Sequence, residues 1–320
     1  MSAPAFPAAP GRTATSAAPA PLRYELVGPP GAPVVLALGG ISATRHVVSN
    51  QADPSPGWWE PVVGPGRGID TARRRVLGVD YLDGGRAGRG RPARRVTTHD
   101  QAAALAALLD RLGVERLHAA VGASYGGMVA LAFAERFPER IDRLVVFSAA
   151  HESHPMSTAL RALQRRIVAL GLETGRTAEA MALARGVAMT TYRTAREFAE
   201  RFDQTPSGDG ADVTFAAERY LIHCGERFAA AYPPERFLAL SLSADLHRVE
   251  PERVTVPTVL VAAEGDTLVP EEQMRQLAAR LGGACLLVRL PTRYGHDAFL
   301  TEPTKVGRIL TAALRGRALS

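Results

Sequence analysis

Three residues in this 320-residue chain have the types and the order that serine-based acyl transfer requires. Ser124 sits in GASYG, residues 122–126, the G-x-S-x-G pattern that turns a serine out between a strand and a helix. Asp266 closes the turn EGD at 264–266, and His296 closes RYGH at 293–296. A serine hydroxyl is a poor nucleophile at neutral pH. It needs an imidazole to take its proton, and the imidazole needs a carboxylate to fix its tautomer. Asp297 follows the histidine directly in RYGHDAFL, so three roles compete for it: partner of His296, cap of the following helix, or a group that handles a substrate.

Competing groups exist. Asp245 and Glu264 are the alternatives to Asp266 as the orienting acid. His151 and His154 follow the apolar run RLVVFSAA and are placed to line a pocket, whereas His46, His99, His118, His223 and His247 read as surface or packing residues. For a tetrahedral oxyanion, the first donor is the Tyr125 backbone N–H at the positive end of the next helix. A second is expected from the loop after the first buried strand, around Leu38 and Gly39.

The elements that must position these residues are legible as apolar runs and helical repeats. PVVLALGG (33–40) and RRVLGVDYL (74–82) read as buried parallel strands. HDQAAALAALLDRLGV predicts a helix from about residue 99, with Asp100 capping its first turn and Gly113 ending it. LHAAVG, the helix after Ser124 and RLVVFSAA continue a strand, helix, strand order, which implies right-handed crossovers in a parallel sheet. Residues 151–245 change to Arg- and Ala-rich helical segments, read as an inserted helical lid. The strand rhythm resumes at VPTVLVAAEGD and CLLVRL, and a last helix is expected from about Asp297 through KVGRILTAALRG. The predicted organisation is an α/β core over 22–150 and 246–320, a lid over 151–245, and a disordered Ala-, Pro- and Ser-rich leader over 1–21.

Composition removes other classes. No apolar run approaches the roughly 18 residues of a membrane span, and the first twenty residues lack a secretory pattern. Two cysteines, Cys224 and Cys285, are too few for a disulfide framework and lack zinc-site spacing, which points to a reduced cytoplasmic protein. Net charge is +6. Its densest contribution, GGRAGRGRPARR at 84–95, reads as a solvated loop, the alternative being contact with RNA or with the phosphates of a nucleotide-like cofactor.

Three stretches resemble the homoserine O-acyltransferases, enzymes of the α/β-hydrolase fold: GWWEPVVGPGRGIDTARRRVLGVDYL (57–82), GASYGGMVALAFAERFPERIDRLVVFSAA (122–150), and RYGHDAFL. The first is far more discriminating than the serine turn. LGGISATRHV and the compact length look most like the short forms that use succinyl-CoA. The resemblance implies two half-reactions through Ser124, His296 and Asp266, acyl-CoA as co-substrate, no bound cofactor or metal, and O-succinyl-L-homoserine as product in methionine biosynthesis. An acetyl donor, a serine acceptor and simple ester hydrolysis are the alternatives. It also implies that Asp297 contacts the homoserine amino group and that the enzyme is a homodimer, with no nucleic-acid or membrane partner. Two departures stand out: Leu36 replaces a family histidine, and Ala231 replaces an arginine that binds the substrate carboxylate, so either Arg161, Arg165 or Arg227 takes that role or the acceptor is held differently.

Overall fold

The computed structural model of the chain describes residues 21–86, 92–209 and 212–315. All but one residue of the expected leader, and the middle of the Arg-Gly segment, therefore lie outside the described residues. In chain order the strands are β1 (Tyr24–Val27), β2 (Val34–Leu38), β3 (Val63–Gly64), β4 (Ile69–Asp70), β5 (Arg75–Val79), β6 (Ala119–Ala123), β7 (Leu144–Phe147), β8 (Thr258–Ala263) and β9 (Cys285–Leu290). Seven of them form one sheet in the order β1-β5-β2-β6-β7-β8-β9, with only β1 antiparallel to its neighbour. β2, β6 and β7 are buried along their whole length because helices or loops cover both faces, which is why they read as unbroken apolar runs.

Helices α1 (Thr98–Arg111), α2 (Tyr125–Arg136) and α8 (Glu271–Arg280) cover one face, and α10 (Pro303–Arg315) covers the other. The α1 cap differs from expectation. Thr97 is the N-cap, and Asp100 answers it from the third helical position in a reciprocal capping box. The last helix is also interrupted. A 3-10 turn at Gly295–Asp297 leads into the short α9 (Ala298–Thr301), and α10 begins afresh at Pro303. Proline supplies no backbone N–H and pushes the preceding residue out of the helical region, so the chain breaks at Glu302.

Between β7 and β8 lie α3 (Pro155–Thr174), α4 (Thr177–Tyr192), α5 (Ala195–Arg201), α6 (Ala216–Ala231) and α7 (Pro234–Asp245). They have a small apolar core of their own, built on Val168, Met181, Ala184, Tyr232 and Phe237. Hydrogen bonds tie them to the loops at the C-terminal edge of the sheet: the Ser157 hydroxyl donates to the Leu268 carbonyl at 2.8 Å, and the Tyr232 hydroxyl donates to the Ile41 carbonyl at 2.6 Å. This is the edge where an open parallel sheet gathers its ligand site.

The GWW segment braces that edge from behind. Trp59 is fully buried, stacks on Trp58 at 5.1 Å, and donates its indole N–H to the Phe299 carbonyl at 3.0 Å. β3 and β4, a short parallel pair, close the loop that begins there. An aromatic-anchored loop thus supports the segment that carries His296.

Candidate active site

The turn between β6 and α2 holds Ser124 at φ 54° and ψ −124°, a backbone conformation that a residue with a side chain adopts only under strain. Glycine at position 126 is a steric requirement: a Cβ there would fall 2.4 Å from the Leu38 carbonyl oxygen. The Gly126 N–H donates to the Gly39 carbonyl at 2.9 Å, and the Tyr81 hydroxyl donates to the same oxygen at 2.7 Å. Those two bonds fix the Gly39–Gly40 peptide. Gly40 lines the cavity above Ser124, while Leu38 lies behind it, paired with Gly122 at the end of β2. The Tyr125 N–H belongs to the first turn of α2, where backbone donors have no partner within the helix. Burial pushes the Tyr125 phenol up to about 12, so its hydroxyl, 2.8 Å from Ser243 Oγ, is a structural anchor.

His296 Nε2 lies 2.8 Å from Ser124 Oγ, and His296 Nδ1 lies 2.8 Å from Asp266 Oδ2. An ionised carboxylate only accepts, so Nδ1 carries the proton and the Nε2 lone pair faces the serine hydroxyl. The other Asp266 oxygen accepts the Leu268 and Val269 N–H groups at 2.9 and 3.0 Å, which locks the carboxylate. The two turns touch. Gly295, at φ 61°, brings the histidine turn against the EGD turn, where a Cβ would meet the Gly265 carbonyl oxygen at 3.2 Å. Burial disfavours the imidazolium of His296, but the charge and hydrogen bond of Asp266, aided by Asp297, outweigh it, and the pKa is raised above the usual histidine value.

The competing residues are occupied elsewhere. Asp245 pairs with Arg161 and Arg165, each at 2.6 Å, within the inserted helices. Glu264 is exposed. His154 lines the cavity, whereas His151 is buried beside it with Nε2 3.3 Å from Arg280. Among the described residues, no group of three or more potential ligands is placed to hold a metal ion, and no helix is long and apolar enough to cross a membrane.

Ser124, Tyr125, His296 and Asp297 open on one cavity of about 210 Å³, roofed by α3, α4 and α7. Asp297 occupies the N-cap position of α9, but its side chain makes no capping bond. Instead Oδ2 accepts from Arg193 Nε at 2.9 Å. Burial raises the Asp297 pKa, with Arg193, His296 and Arg185 pulling the other way.

Arg185 on α4 lines the same cavity. Its guanidinium stacks over Tyr192 and Phe228, 5.2 and 4.8 Å from the ring centres, and among the described residues no carboxylate pairs with it. The arginines expected to replace the one missing at Ala231 are less free or further out. Arg161 and Arg165 are spent on Asp245, and Arg227 is exposed on an outer groove that Ala231 also lines. Arg185 escaped the sequence reading, although a lone arginine in the apolar run MALARGVAM was its visible signal.

A family model described as alpha/beta hydrolase fold matches residues 33–303. A homoserine O-succinyltransferase of Xanthomonas campestris is 49% identical over 92% of this chain and 79% of its own length. A homoserine O-acetyltransferase of Thermus thermophilus is 36% identical over 82% of this chain and 73% of its own length. Among solved structures, a homoserine O-acetyltransferase from Bacillus anthracis superposes with a TM-score of 0.82 at 18% identity, covering 93% of this chain and 92% of that one, a likeness of fold. With this sequence likeness and this fold, the chain belongs to the homoserine O-acyltransferases, acyltransferases built on the α/β-hydrolase fold.

Proposed function

We propose that this protein transfers a succinyl group from succinyl-CoA to the side-chain hydroxyl of L-homoserine, by a two-step reaction through an acyl-serine. Ser124 Oγ attacks the thioester carbonyl while His296 Nε2 takes its proton. The imidazolium formed is stabilised by Asp266 and returns the proton to the departing thiolate. The homoserine hydroxyl then attacks the acyl-serine, His296 takes that proton, and it passes back to Ser124 Oγ as the ester product leaves. The oxyanion donors in both halves are the Tyr125 N–H and an N–H of the β2 exit, residues 38–40.

One observation favours transfer to an amino acid over hydrolysis: the cavity wall holds an anion, Asp297, and a cation, Arg185, close enough to influence each other. A zwitterionic amino-acid head needs that pair. Its ammonium group meets the Asp297 carboxylate, and its carboxylate meets the Arg185 guanidinium, which compensates for the alanine at 231. Helices α3 to α7 act as a lid that limits water, the competing nucleophile. Succinyl is preferred to acetyl because the relative that is 49% identical is named for that group.

The test is free-thiol release by the purified protein, with succinyl-CoA and acetyl-CoA each offered alongside homoserine, serine or neither. The expected pattern is release that depends on homoserine and is fastest with succinyl-CoA. Release at the same rate without any amino acid would identify a thioesterase instead.

A further inference from the structure

A second depression lies next to the Ser124 cavity and shares part of its wall, with Ser42, Arg185, Asp297 and Leu300 lining both. Its volume is about 790 Å³, and it runs between the β2 exit loop and helices α4 and α6. Six arginines line it: Arg23, Arg45, Arg185, Arg193, Arg227 and Arg236. Three aspartates oppose them. Asp80 is held by Arg23 at 3.0 Å and by Arg45 at 2.7 Å, Asp83 is 3.8 Å from Arg236, and Asp297 is paired with Arg193. The acids are therefore all engaged, while Arg185 and Arg227 have no carboxylate partner among the described residues. A groove with surplus guanidinium charge attracts a polyanion, and arginine suits phosphate because its planar fork donates two parallel hydrogen bonds.

The path between the two depressions has a direction. The inner end is the nucleophile; the outer end is the arginine groove. A ligand that spans them carries its reacting carbonyl at one end and phosphates at the other.

Resting on the acyl-CoA reading above, we propose that the outer groove is the binding site for the phosphorylated nucleotide end of the acyl donor. Arg227 and Arg236 contact its phosphates, and the connecting arm passes Ser42 and Leu300 to reach Ser124. Ala231 lines this groove and not the inner cavity, so a charge introduced at that position stands in the path of the donor.

Two variants test this, each at an exposed position. Arg227→Ala removes a cation, and Ala231→Glu adds an anion without disturbing an existing contact. Each is assayed with succinyl-CoA and with S-succinyl-N-acetylcysteamine, which has the same thioester but no phosphate. Each variant is expected to raise KM for succinyl-CoA about tenfold, to leave kcat/KM for the small thioester within about twofold, and to weaken competitive inhibition by adenosine 3′,5′-bisphosphate. Unchanged KM for succinyl-CoA in both variants, with transfer intact, overturns the groove assignment alone. Equal losses with both donors also overturn it, since phosphates would then not be what these positions sense. Transfer from neither donor by the unmodified protein overturns the acyltransferase reading and the groove with it.

Discussion

Arg193 and Asp297, 104 residues apart in the chain, meet through a 2.9 Å ion pair between the end of α4 and the residue after His296. The pair links the inserted helices to the histidine turn and orients the carboxylate proposed to receive a substrate ammonium group. Because Asp297 also raises the His296 pKa, substrate binding, the inserted helices and the base share one set of charges.

That sharing sets a pH dependence. His296 must be neutral to accept the serine proton, and its pKa lies above the ordinary value of about 6.5. Activity is therefore expected to fall on the acid side with a midpoint above that of a free histidine. Asp297→Asn removes a charge that raises the pKa and takes from Arg193 its nearer carboxylate, leaving it only Glu197 at 3.8 Å, so the acid limb of kcat/KM should move to lower pH. An acid limb that does not move would mean that Asp297 exerts no field on His296.

The zwitterion proposal separates the two half-reactions. Arg185→Ala and Asp297→Asn are each expected to raise KM for homoserine by about tenfold to a hundredfold, the cost of one lost charge-assisted contact. The single-turnover rate of acyl-serine formation, measured without acceptor, should fall far less. If Asp297 were only a helix cap, the homoserine KM would be unchanged.

Strain at the nucleophile predicts a trade of stability for activity. Ser124 holds φ 54°, which glycine adopts freely and serine does not. Ser124→Gly should unfold at higher temperature than Ser124→Ala, by roughly 1 kcal/mol of stability. Both should lose at least about four orders of magnitude in kcat. Calorimetry of the two variants side by side checks the first statement, and thiol release checks the second.

The acid sensitivity of the fold has a separate source. His247 is buried, donates from Nε2 to the Ala150 carbonyl at 3.0 Å and accepts at Nδ1 from the Thr98 hydroxyl at 2.9 Å. Burial lowers its pKa to about 3, against the Ala150 hydrogen bond, which raises it. The folded state therefore keeps this imidazole neutral where the unfolded chain protonates it. Stability is expected to fall as pH drops from about 6 to 4, by up to about 1.4 kcal/mol per unit from this group. His247→Gln should flatten that slope in denaturant titrations at several pH values, even if it lowers stability at neutral pH.

Much of the frame was readable because it is local. Ser124, Asp266 and His296 each end a short turn after an apolar strand, and strand order decides that such turns gather at one edge. What was not readable depends on side chains meeting across the fold. Nothing in RYGHDAFL announces that Arg193 will take one oxygen of Asp297, and nothing in ALARG says that its arginine points at a cavity and not at solvent. The break at Pro303 was legible in principle, but the apolar periodicity on either side of it masked it. The weak strand β1 escaped notice, since its half-exposed residues lack a buried run.

The central claim is an acyl group carried on Ser124 between two substrates. Intact-protein mass measurement after mixing with succinyl-CoA alone should show a gain of one succinyl group, mapped to the peptide containing Ser124 and absent from Ser124→Ala. Adding homoserine should then return the original mass and yield O-succinylhomoserine. A protein that never gains the group while still forming that product, or that gains it and sheds it to water at a rate homoserine does not change, would contradict the account.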